Sequence, residues 1–431
     1  MNLKRSLRCS LIGLCLPQFF CLSAGGQEFE REPIAYNTRT PDNRVSKLIG
    51  DLQSGKRALN HEPHFGYLRS LLSELEVPQS SQMLVFSKTS LQRQRISPRT
   101  PRALYFSDDT YVGYCQSGEV LEISTVDDSL GAVFYTLDQQ KPLPTLVRQT
   151  DNCLICHGSS LTKGVPGHVV RSVYTDAAGL PILSLGTHRT DYTSPLHERW
   201  GGWYVTGTHG DQKHLGNLIT RGGDESERED NCNGQNVTDL VSRFDTKNYL
   251  TGHSDIVALM VLEHQTAAHN ALTQASFSTR QALHYQQMLN RELGNPADEP
   301  WDSVRSRITN GCEPLVECLF FCGEAPLTHP IVGTSNFAEE FSRLGPRDRR
   351  GRSLRELDMM NGRMFKYPCS YLVYSSSFAA LPNEAKQYVF RRMSEILSGK
   401  DVGDRFKHLS CDDRQAIREI LADTLPGFPV P

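Results

Sequence analysis

RALYFSDDTYVGYCQSGEVLEISTVDDSLGAVFYTL, residues 102–137, decides the fold. Within it residues 102–106, 111–114, 120–126 and 132–137 are rich in β-branched and aromatic side chains. Asp108-Asp109, Ser117-Gly118 and Asp127-Asp128 divide them at the spacing of tight turns. Short strands joined by such turns predict consecutive antiparallel hairpins. The same pattern extends over residues 83–220, with further strand-like runs at 169–174 and 203–206.

Outward from this middle the period changes. Residues 27–82 are polar, with two short helical patterns at 45–52 and 67–75. Residues 221–236 carry Asp224, Glu225, Glu227, Glu229 and Asp230 with hardly an apolar side chain, which predicts an acidic linker. From 237 to 431 the pattern is mainly helical. Ser254 reads as the N-cap of one helix, Thr279 as the start of another that stops at Gly294, and further helices fit 383–397 and 412–422. The expected class is therefore α+β: an antiparallel, hairpin-rich middle followed by a mainly α-helical C-terminal half.

The first 26 residues read as an export signal. Lys4, Arg5 and Arg8 precede an apolar run from Cys9 to Leu22, and small residues follow at 23–26. The run is too short for a confident membrane span, so the mature chain is expected outside the cytoplasm, in the periplasm or cell envelope of a bacterium, with no membrane span. With 46 basic against 49 acidic residues, the net charge of −3 gives no global field toward nucleic acid.

Chemistry concentrates at Cys153-Leu154-Ile155-Cys156-His157, a CxxCH motif. This spacing attaches a c-type haem: each thiol forms a thioether to the porphyrin, and the adjacent imidazole becomes the iron's proximal ligand. Cys153 and Cys156 are the expected attachment points of one haem c, and His157 the expected iron ligand. A CxxC redox pair would want a βαβ setting, and zinc a second Cys/His pair. Cys318 and Cys322 have a longer spacing and are followed by Gly323, so they read as buried thiols or a disulfide. Of the twelve cysteines, seven lie beyond both the signal and the motif, an odd number that cannot all pair internally.

The iron's sixth ligand decides its use. His209, followed by Gly210 in a loop, His264, one helical turn after Met260, and His168 are the candidates. An open sixth position is the alternative. Arg93, Arg95, Arg99 and Arg102 either pair with haem carboxylates or form a solvated loop. Trp200, Trp203 and Tyr204 either wall the haem or fill the core.

Asp151-Asn152 before the motif, Gly164-Val165-Pro166-Gly167 after it, the run from Arg199-Trp200-Gly201-Gly202-Trp203 to His209-Gly210, and Tyr367-Pro368-Cys369-Ser370-Tyr371-Leu372 together resemble a family of large exported single-haem c-type cytochrome proteins of planctomycetes and related bacteria. The resemblance covers most of the chain after the signal and implies a haem protein of the cell envelope. Only the CxxCH block carries over a role residue by residue. Two function classes follow. One is electron transfer to a periplasmic redox partner protein. The other is a haem enzyme of peroxidase type, or a small-molecule sensor, with an open sixth position. A chain far longer than one small haem domain weighs against a simple carrier.

Overall fold

The computed structural model describes residues 28–220 and 231–429. The expected signal at 1–26, with Cys9, Cys15 and Cys21, and most of the acidic linker, 221–230, lie outside the described residues.

The N-terminal lead forms two helices, α1 (Arg44–Gln53) and α2 (Leu68–Glu74). Asn43 caps α1 by accepting from the Ser46 amide at 2.9 Å, while Ser46 accepts from the Asn43 amide, a reciprocal cap.

The middle is a seven-stranded antiparallel sheet, as the alternation in residues 102–137 predicts. Its strands are β1 (Met83–Val85), β2 (Arg102–Phe106), β3 (Thr110–Tyr114), β4 (Val120–Asp127), β5 (Gly131–Asp138) and β6 (Leu146–Gln149), with a later strand at Trp203–Tyr204. A single helical turn, α3 (Leu154–His157), follows β6. Then come a two-stranded ribbon, β7 (Arg171–Val173) and β8 (Thr187–Arg189), and the later sheet strand, β9. The spatial order of the large sheet is β6-β5-β4-β3-β2-β1-β9. β10 (Gly207–Thr208) pairs with β11 (Val332–Gly333).

The register sorts side chains onto two faces. Ile123 opposes Tyr135 and Val112, and these pack with Leu48, Leu68 and Leu71 into one core under the N-terminal helices. The other face carries Tyr111, Ser124 and Phe134 in one row, and Gly113, Glu122 and Thr136 in the next. This second face meets the C-terminal half, where Met83, Val85 and Phe106 join a larger helical core.

That half is organised by α4 (Ile256–Leu293), buried on nearly every side along its first six turns. Two expectations are corrected here. Asp255, not Ser254, is the N-cap: its carboxylate accepts from the amides of Val257 and Ala258 at 2.8 and 3.2 Å. The Ser254 hydroxyl instead donates to the Tyr204 carbonyl at 2.6 Å. Nor does a helix begin at Thr279, because residues 256–293 contain no glycine or proline to break the run. Thr279 is an interior position whose hydroxyl faces the Cys312 sulfur at 3.9 Å. The stop at Gly294, in the left-handed region at φ 70°, is as expected.

The helix α5 (Asp302–Leu319) escaped the sequence reading because it contains Gly311 and Pro314. Gly311 has a use there: a Cβ at this position would sit 2.7 Å from the Ser278 Cβ, so its absence lets α5 lie against α4. Four more helices complete the half: α6 (Phe337–Arg343), α7 (Ser376–Ala379), α8 (Asn383–Leu397) and α9 (Cys411–Thr424). Among the described residues no helix is long and apolar enough to cross a membrane. Cys318 and Cys322, across the end of α5, are thiols rather than a disulfide.

Candidate functional site

The pentapeptide 153–157 begins just past β6. Cys153 opens α3, Leu154 is buried at 4% exposure and anchors the turn, and Ile155 stands 72% exposed beside exposed Cys156. Alternation around one helical turn thus fixes the peptide to the core by Leu154 and turns its other edge to water. Cys153 and Cys156 are both thiols and are not joined to each other. Burial pushes the Cys153 thiol up to about 11.

His157 is held by the loop that follows it. After the turn Ser160–Thr162, Lys163 and Gly164 take left-handed backbone conformations, at φ 60° and 76°, and reverse the chain. Gly167 thereby returns to His157: its amide donates to the His157 carbonyl at 2.8 Å, and its own carbonyl lies 2.9 Å from His157 Nδ1. A carbonyl can only accept, so Nδ1 carries the proton and the Nε2 lone pair is left available. Burial lowers the imidazole's pKa, which keeps it neutral. A neutral imidazole with Nδ1–H bound to a backbone carbonyl is the form that ligates a metal through Nε2.

The loop is pinned from two sides. The Ala132 amide of β5 donates to the Pro166 carbonyl at 3.1 Å. From α4, Asn270 pairs with the backbone of His168, accepting from its amide at 2.9 Å and donating to its carbonyl at 2.7 Å. Gly167 must be glycine for this fit, since a Cβ there would lie 2.1 Å from Asn270 Oδ1.

Beneath the motif lies the second sheet face. Phe134 packs its ring 4.9 Å from that of His157. In the neighbouring row Arg102 crosses over β3 to reach Glu122 at 2.5 Å, and it can do so because Gly113 leaves the space: a Cβ there would stand 2.5 Å from the guanidinium. Both charges act on Cys153 and His157. Of the four candidate arginines, Arg102 is therefore the one beside the motif. Its Nε is buried without a hydrogen-bond partner among the described residues.

The candidate sixth ligands separate. His168 belongs to the same ring group as His157, 6.2 Å from Phe134 and 4.2 Å from Tyr111, and its Nε2 lies 2.7 Å from the Ser124 hydroxyl. His209 sits by His214, its Nε2 accepting from the Asn236 amide at 3.0 Å. His264 stacks on Phe321 at 4.1 Å, with Nε2 2.7 Å from the Ser370 hydroxyl. Trp200 and Tyr204 are core residues, and Trp203 donates from its indole to the Arg171 carbonyl at 2.8 Å.

A cavity of about 210 Å³ opens beside the loop, lined by Lys163, His168, Asn270, Tyr192, Cys318 and Cys322 among others. Among the described residues no group of three or more His, Cys, Asp or Glu side chains is placed to hold a metal ion. Sequence reasoning missed Phe134, Ser124, Asn270 and the Gly167 carbonyl. Only the run Gly164-Val165-Pro166-Gly167 signalled that a loop closes on the motif. Comparison with protein-family models, with curated proteins and with solved structures found no match for this chain.

Proposed function

We propose that this chain is an exported c-type haem protein whose activity is electron transfer through one haem c. Cys153 and Cys156 would hold the porphyrin by thioethers, and His157 Nε2 would hold the iron. The observation that carries the reading is the bond from His157 Nδ1 to the Gly167 carbonyl, which fixes the ligating tautomer beside two unjoined thiols. When bound, the haem supplies a one-electron couple. The chain's residues do the rest. Gly167 holds the imidazole's proton on Nδ1, Phe134 covers one side of the ring, and Arg102 offers a cation for a haem carboxylate. The exposed Ile155 and Cys156 edge is where a periplasmic redox partner would approach.

A second reading keeps the haem and changes what meets it: an iron open to a small molecule. It is favoured by one observation, that His168, His209 and His264 each have Nε2 engaged already. Haem staining of the exported protein on a denaturing gel tests the attachment, and the reduced spectrum with and without carbon monoxide separates the two readings. A protein that expresses and exports without covalent stain would end both.

A further inference from the structure

A line of rings leads from His157 to a hydrogen-bonded pair between half-buried Tyr111 and buried His269. From Phe134 it passes to His168, and from His168 to Tyr111 on β3 at 4.2 Å. The Tyr111 hydroxyl lies 3.0 Å from Nδ1 of His269 on α4. Gln265, one turn earlier on α4, donates from Nε2 to the same phenol oxygen at 2.9 Å and to the Ser107 carbonyl at 2.8 Å. The Tyr371 hydroxyl donates to Gln265 Oε1 at 2.6 Å, which fixes the amide's orientation. Since the phenol oxygen accepts from Gln265, its own proton is the one directed at His269.

His269 is a base in waiting. Burial lowers it to about 4, so the imidazole is neutral; the phenol proton directed at it makes Nδ1 the accepting nitrogen, and the nearby Asp109 carboxylate favours a positive charge there. Burial also raises the Tyr111 phenol far above its usual range, so it does not ionise by itself. A phenol in this setting can lose an electron only if its proton leaves at the same time, and the partner that takes the proton is already in place.

We propose that Tyr111 and His269 form a proton-coupled redox pair that supplies an electron toward His157 when hydrogen peroxide has oxidised the haem there. In that step the Tyr111 O–H bond breaks and an N–H bond forms at His269 Nδ1. One electron would pass toward the haem that Cys153, Cys156 and His157 would hold, leaving a neutral phenoxyl at Tyr111 and an imidazolium at His269. Gln265 stays as donor to the phenoxyl oxygen. A later electron from the reduced periplasmic redox partner protein, with return of the proton from His269 Nδ1 to the phenoxyl oxygen, re-forms the Tyr111 O–H bond and the neutral imidazole. The inference rests on the haem reading for its oxidant but not for the pair itself.

The test is electron paramagnetic resonance of the haem-carrying protein, frozen after mixing with hydrogen peroxide. A tyrosyl signal is expected in the wild type, reduced at least fivefold in Tyr111→Phe and in His269→Gln, and unchanged in Tyr285→Phe, whose exposed ring is outside the network. A chain with fifteen tyrosines can form radicals elsewhere, so a full signal in Tyr111→Phe overturns the proposal, as does a wild type with none. If the circular dichroism of Tyr111→Phe departs from the wild type, His269→Gln decides alone. If haem staining is negative, photo-generated tris(bipyridyl)ruthenium(III) replaces peroxide. The signal must then still vanish in Tyr111→Phe, which separates failure of the pair from failure of the haem reading.

Discussion

His157 and Gly167 hold each other by two hydrogen bonds, backbone to backbone at 2.8 Å and ring to backbone at 2.9 Å. The ring's proton is thereby set by a backbone atom ten residues on, and the available nitrogen is set with it. On the proposed haem reading, the two thiols would hold the porphyrin and this pairing would prepare the third donor.

Removing the thiols is the first check. Cys153→Ala combined with Cys156→Ala is expected to abolish haem staining on a denaturing gel while the chain still folds, because Leu154, the buried residue of the pentapeptide, is untouched and alanine keeps the Cβ of both positions. Covalent haem surviving in that double variant would refute the attachment sites.

Gly167→Ala is expected to act through the histidine without touching it. The new methyl would collide with Asn270 Oδ1, and relief requires the loop or α4 to move. The expected cost is about 1–3 kcal/mol in chemical denaturation, in the range of a small overpacking. A weakened His157 ligand should also shift the Soret band, whereas an ordinary packing defect would leave it in place.

Asn270→Ala removes both bonds to the His168 backbone and leaves a buried amide and carbonyl without partners. A loss of about 2–6 kcal/mol is expected, since each of the two unsatisfied buried groups costs about 1–3 kcal/mol. Equal melting temperatures for variant and wild type would show that the loop holds itself.

What the sequence made legible follows from how local each feature is. Strands β2 to β5 were readable because Asp-Asp and Ser-Gly turns punctuate a run of β-branched and aromatic residues. The motif was readable because its three functional residues are neighbours. The single length of α4 was hidden by a threonine that looks like a cap, and α5 by a glycine that serves its contact with α4 and a proline inside its run. Asn270 and His168 are 102 residues apart, and the Gly167 carbonyl is a backbone atom with no residue signature. Such features arise only when the sheet and α4 are brought together, and short-range patterns do not carry them.

Glu263 gives a pH dependence with a definite sign. It is fully buried against Arg199 at 3.0 Å, and burial raises its carboxyl from 4.5 to about 7 even though the arginine pulls the other way. The folded chain thus holds this proton more tightly than the unfolded chain does. Stability is greatest below the unfolded value and falls as pH rises through the folded one. Measured against Glu263→Gln, the wild type is expected to lose stability between about pH 5 and about pH 8, read as the difference between the two melting curves. Parallel curves for the two proteins would mean the carboxylate is already ionised throughout.

The sixth coordination position can be argued from hydrogen bonds. To ligate through Nε2, each candidate histidine would surrender an existing partner: Ser124 for His168, the Asn236 amide for His209, Ser370 for His264; Nδ1 of His209 and of His264, like that of His168, is buried without a hydrogen-bond partner among the described residues. Only His168 shares a ring group with His157. On the open-iron reading, the reduced protein is expected to shift its spectrum on carbon monoxide, with His209→Ala and His264→Ala behaving like the wild type. In that case the electrons that pass through the haem end on a small molecule at the iron, and Tyr111 has an oxidant to serve. A spectrum indifferent to carbon monoxide, and altered by His168→Ala, would instead close the iron with His168 and leave a protein partner as the acceptor.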